Sequence, residues 1–342
     1  MSKALKGGEF VNRYRITGTL KTLAPLHIGT GEESSIRLMK REAPKAEEPR
    51  KEGKAGKGAS IAAQFSKFAG ITEEKAKESG AKEGVPKVSM VIKDHRGKPM
   101  IPGSSLRGVM RHWLLDVFRG FRTDWANVRA YEDDPLLELE QQAQIERIKK
   151  EFSLLELVFG TPYNAGKVEV WDALCLTEEI AVADTLLSWD KRSLTYVDTS
   201  VAIDPDTGTA MDKLLYQAEV VPPGVTFGLT LAAQNLADDE LGLVLLALQG
   251  FNSQIYPINV GARSGRGYGR LQFIPDEIYY LDKTAMPQWI EDSIATLNFE
   301  TKAETVTPAD DAGYLALPKL GKAEQQALIG RVKAQLRAQG GG

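Results

Sequence analysis

Arg263, Arg266 and Arg270 are spaced through the run Gly261-Ala-Arg-Ser-Gly-Arg-Gly-Tyr-Gly-Arg270, a pattern suited to holding phosphate. Gly261, Gly265, Gly267 and Gly269 strip side chains from a short loop, so anionic oxygens can approach its main-chain N–H groups. Guanidinium forks match phosphate geometry, Ser264 lies between them, and Tyr268 offers a face on which a base can stack. A second segment, Lys98-Pro-Met-Ile-Pro-Gly-Ser-Ser-Leu-Arg-Gly-Val-Met-Arg111, has a related character. Pro102 and Gly103 end an extended run, and Ser104 or Ser105 is expected to cap the following helix. Arg107 and Arg111 are four apart, on one helix face near an N-terminus expected to offer unbonded N–H groups. Taken singly, the first segment also reads as a plain helix-to-strand turn, and the second as a capped amphipathic helix with surface arginines.

The elements that must position these residues follow from periodicity. Tyr14–Leu20 alternates as a first strand, and Val88–Lys93 is a second, closed by a turn at His95-Arg-Gly-Lys98. Leu106, Val109, Met110, Trp113, Leu114 and Val117 fall at helical spacing after Ser104. Gln141–Phe159 has a helical period and Lys167–Leu176 reads as a strand. Val197–Ala210 and Leu214–Val221 form the arms of a long hairpin or extended loop around Asp204-Pro-Asp-Thr-Gly208. Val225–Ala233 is a strand, Asp238–Gln249 a helix, and the Gly/Arg loop then leads into a closing strand from Arg270 to Ile274. This succession fits an α+β fold with helices on one sheet face.

Residues 42–87 differ in character, mixing ten lysines and arginines with eight glutamates and several glycines and prolines. Such a segment buries little apolar surface and is expected to be a largely flexible insertion. Its one apolar stripe, Ile61, Phe65 and Phe68, suits docking to a neighbouring subunit or folding back onto the body. Residues 276–342 read as a C-terminal extension containing a helix over 318–338.

Composition sets looser bounds. The 342 residues are 42% hydrophobic and 26% charged, as in a soluble globular protein. One cysteine, Cys175, excludes an intrachain disulfide framework and a cysteine-rich zinc site. With no signal peptide and no run apolar enough to span a bilayer, the cytoplasm is the expected compartment and no membrane partner is expected. A net charge of −3 excludes a wholly basic surface but leaves room for local basic strips. Gly53-Lys-Ala-Gly-Lys-Gly58 lacks the spacing and the following Ser/Thr of a nucleotide-binding P-loop.

Together, in this order, the motifs resemble the RAMP superfamily of CRISPR-associated proteins, and most closely the repeated backbone subunit of type III effector complexes. The resemblance is carried by Pro25-Leu-His-Ile-Gly-Thr-Gly31, Ile101-Pro-Gly-Ser-Ser-Leu-Arg-Gly108, Val158-Phe-Gly160 and Gly166-Lys-Val-Glu-Val-Trp-Asp-Ala173. Ala202-Ile-Asp-Pro-Asp-Thr-Gly-Thr-Ala210, Val220-Val-Pro-Pro-Gly-Val-Thr-Phe227 and the Gly/Arg loop complete it. It implies an RNA-recognition-motif-like, ferredoxin-like core made of residues 1–41 and 88–275, interrupted by the 42–87 insertion. It also implies a β-hairpin thumb over about 197–221. The implied partners are a guide RNA (crRNA), a target RNA and other RAMP subunits of the complex. Ser104, Ser105, Arg107 and Arg111 match the family's guide-backbone contacts, residues 261–270 match its glycine-rich loop, and Met211, Leu214 and Leu215 match the thumb. No cofactor is needed for binding.

The family's slicing subunits place an aspartate just before the segment matching Val91-Ile-Lys-Asp94, with Mg²⁺ or a similar divalent ion assisting. Here that place holds Val88-Ser89-Met90, and no aspartate precedes Asp94. The resemblance therefore implies a non-slicing, guide-holding subunit. Glu32, Glu33, Glu42 and Glu83 are the candidates for a displaced substitute that would make the chain a metal-dependent endoribonuclease, but in this context they read first as solvated loop glutamates. A repeat-processing endonuclease of the same superfamily would rely on histidine. His27, His95 and His112 are dispersed, His112 among apolar helix residues, and read as structural.

Overall fold

The computed structural model describes residues 4–35, 87–119, 123–126, 135–182, 186, 188–203, 210–295 and 320–339. In chain order the elements are β1 (Asn12–Thr22), β2 (Gly29–Ser35), β3 (Lys87–Val91), β4 (Met100–Ile101), α1 (Gly103–Arg119) and α2 (Thr123–Ala126). There follow α3 (Gln141–Glu151), α4 (Leu154–Phe159), β5 (Val168–Val170), β6 (Ala173–Leu174), β7 (Tyr196–Ile203) and β8 (Ala210–Val220). Last come β9 (Thr226–Gln234), α5 (Asp238–Gly250), β10 (Leu271–Asp282), α6 (Met286–Ala295) and α7 (Lys322–Gln339).

The chain forms two compact units. In the larger, β1 buries Tyr14, Ile16 and Leu20 on one face and turns Arg13, Arg15 and Thr17 to the other, as the alternation requires. It pairs antiparallel with β9, from Arg13↔Gln234 to Lys21↔Thr226, and with β10, from Asn12↔Asp282 to Thr22↔Leu271. β5 closes the other edge against β9, giving the order β10-β1-β9-β5. With α1 and α5 inserted this is a β-α-β-β-α-β ferredoxin-like unit. Leu106, Met110, Leu114 and Phe118, one turn apart along α1, are buried in the same core as Leu241, Val244 and Leu248 of α5. Burying each such side chain contributes roughly 1.5–3 kcal/mol.

The smaller unit holds a second sheet, of order β2-β3-β8-β7. β3 runs parallel to β8, with Val88 opposite Gln217 and Ser89 opposite Ala218. β7 and β8 cover the region expected to form the thumb arms, with Ala210 at the start of the second strand rather than the end of the first; residues 204–209 lie outside the described residues. So does most of the 42–87 insertion, including Glu42, Glu83 and the Ile61–Phe68 stripe.

Three expected boundaries move. The helical stretch 141–159 is two helices, because Ser153 and Glu156 form a reciprocal capping box that restarts the helix after an extended Phe152. The strand expected over 167–176 breaks into β5 and β6 at Trp171-Asp172, where the Trp171 N–H still bonds the Thr230 carbonyl of β9 and the Asp172 carboxylate accepts from the Gly103 N–H at the start of α1. The closing strand does not end at Ile274 but continues to Asp282. Pro275 is accommodated because β10 is an edge strand and β1 has an irregularity between Ile16 and Gly18. Leu328 and Val332 of α7 join the main core, so part of the expected extension is built into the body. Among the described residues no helix is long and apolar enough to cross a membrane.

Candidate nucleic-acid interface

α1 begins where it does because Gly103 lies against the backbone at β5. A Cβ there would sit 2.0 Å from the Val170 carbonyl oxygen. Its N–H donates to the Asp172 carboxylate at 2.8 Å, and the Ser105 and Leu106 N–H groups bond the Pro102 carbonyl. The helix N-terminus is therefore not the open anion nest expected from sequence. Nor do Ser104 or Ser105 cap it, for both lie inside the helix and Asp172 takes that part. Ser104 is exposed and Ser105 half-buried, so the hydroxyl of Ser104 faces solvent.

One turn further on, Arg107 and Arg111 line an open cleft of about 330 Å³ with Phe159, Gly160, Thr161 and Pro162. Neither arginine has an acidic partner among the described residues, and the buried Nε of Arg111 has no hydrogen bond. Burial and the neighbouring Arg111 charge both pull the Arg107 guanidinium below its ordinary value. Two cations held together without an acid are a place where an anion relieves repulsion as well as forming hydrogen bonds. Gly160-Thr-Pro162, the far wall, had no marker of its own; the Val158-Phe-Gly160 motif was the only signal.

The Gly/Arg loop is anchored by the Pro25-Leu-His-Ile motif. The Ala262 N–H donates to the His27 carbonyl at 2.9 Å and the Gly269 N–H to the Pro25 carbonyl at 2.9 Å. Gly261 has φ +81°, and a Cβ would meet the His27 carbonyl oxygen at 2.2 Å, so only glycine fits. Ser264–Arg266 form a single 3-10 turn, entered through Arg263 at φ 65°. Ser264, Gly265, Arg266 and Gly267 are exposed at the tip, while Arg263, Tyr268 and Arg270 are half-buried. Arg270 opens the edge of β10, its carbonyl accepting from the Leu23 N–H, and its buried Nε has no hydrogen bond. Main-chain bonds connect this anchor to α1: Ile92 N–H donates to Ile28, and Met100 N–H to Ile92, just before the helix. The loop arginines do not line the Arg107/Arg111 cleft; the structure joins the two segments through this frame.

We expect Gly261→Ala to lower the unfolding midpoint by the equivalent of about 1–3 kcal/mol, since positive φ and a main-chain clash act together. Thermal melting of the purified variant checks this, and a wild-type midpoint would mean the loop leaves its anchor freely.

The remaining candidates fall into other roles. His27 is buried beside the loop and contributes its carbonyl. His112 is not among apolar neighbours as its sequence context suggested. It is 73% exposed, with Nε2 3.3 Å from Asp116. Asp94 ties the turn expected at 95–98, accepting from the N–H groups of Arg96 and Lys98 and from Arg96 Nε. Burial pushes its carboxyl up, but these bonds hold it below its ordinary value. Glu32 and Glu33 lie on β2, and Val88, the first residue of the Val88-Ser89-Met90 stretch, is fully buried in β3. A pair the sequence did not disclose is Lys167–Glu240: both side chains are 1% exposed, with Nζ 2.6 Å from each carboxylate oxygen.

A ferredoxin-like sheet whose first helix carries an arginine-lined cleft, with no acidic partner for either arginine among the described residues, thus defines an α+β protein with a cationic flank. The chain belongs to the RAMP superfamily, whose model matches residues 19–272. It is similar to the CRISPR system Cmr subunit Cmr6 of Pyrococcus furiosus, with 27% identity over 219 residues. That match covers 55% of this chain and 62% of the relative's length.

Proposed function

We propose that this chain is a guide-RNA-binding backbone subunit of a type III CRISPR effector complex that makes no cut of its own. The observation that carries the reading is the Arg107/Arg111 pair, two guanidiniums in one cleft with no acid to neutralise them among the described residues. The exposed Gly/Arg tip, with Arg266, supplies a second cationic point of contact, and similarity to a Cmr subunit supports the setting. Neither feature reads bases, so the protein grips sugar–phosphate and leaves sequence to guide–target pairing. The arms β7 and β8 serve as the thumb, Met211, Leu214 and Leu215 forming its wedge against bases or the next RAMP subunit. Titrating the full chain with short single-stranded RNAs of unrelated sequence tests the grip: binding should be similar for all of them, and strict dependence on one sequence would contradict it.

The absence of cutting rests on Val88, an apolar, buried residue that cannot hold Mg²⁺ beside a phosphate. A complex containing this subunit with Glu32, Glu33, Glu42 and Glu83 all changed to glutamine should therefore give an unaltered ladder of target-RNA fragments. Loss of one rung, with the others intact, would make the protein a metal-dependent nuclease subunit instead.

A further inference from the structure

The middle of α1 carries a glycine that the fold does not require. Gly108 is exposed, lies in ordinary helix, and a Cβ added to it would meet nothing within 4 Å. Gly103 and Gly261, by contrast, are each demanded by a backbone contact. A glycine inside a helix lowers stability relative to alanine, so its presence here calls for a reason outside the free chain. Its neighbours supply one. Arg107 and Arg111 hold the cleft on one flank of α1, while Ser104 and His112, each one turn from Gly108, continue the exposed ridge.

On the other flank stands a prebuilt aromatic shelf. Tyr256 stacks on Trp113 with ring centroids 6.1 Å apart and planes 26° apart. Trp113 Nε1–H donates to the Tyr256 carbonyl at 2.9 Å, and the Tyr256 hydroxyl donates to Asp116 at 3.2 Å. Tyr256 is nonetheless 48% exposed and its neighbour Ile255 is 97% exposed. A rigid, half-exposed aromatic costs little conformational entropy to use. The Asp116 carboxylate beside it is unfavourable to phosphate, which leaves an uncharged, planar group as the partner.

We infer that one nucleotide of single-stranded RNA lies across α1, its phosphate at Arg107 and Arg111, its sugar over Gly108 and its base on Tyr256. Gly108 removes the side chain next to the arginines, and the His112–Asp116 pair borders the path on the side of the shelf. This rests on the guide-binding reading and extends it from phosphate to base. It accounts for Gly108, for the exposure of Tyr256, and for the change from cationic to aromatic character across a single helix.

The test measures binding of the full chain to a fluorescent oligouridine and to an abasic ribose-phosphate oligomer of the same length, alongside thermal melts. Gly108→Ala should melt higher than wild type yet bind both oligomers several-fold more weakly. Tyr256→Ala should bind oligouridine about fivefold to a hundredfold more weakly, the range for one base–aromatic stack, and bind the abasic oligomer as wild type does. If Arg107→Ala/Arg111→Ala weakens binding but Gly108→Ala and Tyr256→Ala do not, the crossing is wrong and the phosphate grip stands. If the arginine pair has no effect, the underlying reading fails. A Tyr256→Ala variant that binds RNA normally but loses a co-purifying protein subunit would assign the shelf to protein docking and overturn the inference.

Discussion

Lys167→Met is expected to cost about 3–5 kcal/mol of folding stability, the largest loss from any single change considered for this molecule. Lys167 follows the close packing of Gly166 against the end of α4, and Glu240 sits in the first turn of α5. Their side chains meet in the interior, so removing the ammonium leaves a carboxylate that neither water nor another cation can reach. Burial already pushes the Glu240 carboxyl up, against the pull of Lys167. Without that pull it rises further. A folded-state value above the unfolded one means the folded protein takes up a proton first, so stability is regained as pH falls. The deficit should therefore shrink as pH drops from neutral toward the ordinary glutamate value of 4.5. Lys167→Met/Glu240→Leu should recover most of the loss, less about 1 kcal/mol for the cap that Glu240 gives the Ala237 N–H. Urea unfolding of the three variants at neutral and mildly acidic pH checks the whole set. Equal stability of wild type and Lys167→Met at neutral pH would show that the pair contributes nothing.

The second large effect concerns RNA. Changing Arg107, Arg111, Arg263 and Arg266 to alanine together should reduce affinity at least a hundredfold at near-physiological salt, with charge-assisted contacts contributing about 1.5–3 kcal/mol each. Each single change should weaken binding alike for unrelated sequences and reduce the salt slope by about one. The two pairs need not contribute equally. Arg107 and Arg111 are preorganised in a cleft, whereas Arg266 stands at an exposed tip and must be ordered on binding. A quadruple variant that binds RNA with the wild-type salt slope would remove all four from the interface.

What could be read from the chain was what is local. The alternation of Tyr14, Ile16 and Leu20 announced β1, and the stripe Leu106, Met110, Leu114 announced α1, because period alone fixes both faces. Contacts between distant residues could not be read this way. Asp172 caps α1 from 69 positions away, and the string Pro-Gly-Ser-Ser imitated a local cap closely enough to hide it. Lys167 and Glu240 are 73 apart, and each alone looks like a surface charge. The motifs did carry the information in another form: Gly103 and Gly261 marked places where two backbones come together. The closing strand was expected to end at Ile274, but an edge position opposite an irregular β1 tolerates Pro275 and lets it continue. The proposed phosphate grip was legible in residue type, while the lack of an acidic partner for Arg107 and Arg111 among the described residues became visible only with the fold.

The central claim is that α1 and the Gly/Arg loop hold guide RNA, and cross-linking tests it most directly. The assembled ribonucleoprotein, carrying guide RNA with photoreactive uridines, would be irradiated and the peptides bearing nucleotide mapped by mass spectrometry. Nucleotide adducts should fall within 103–119 and 261–270. Adducts confined to other parts of the chain, with both segments clean, would contradict the account.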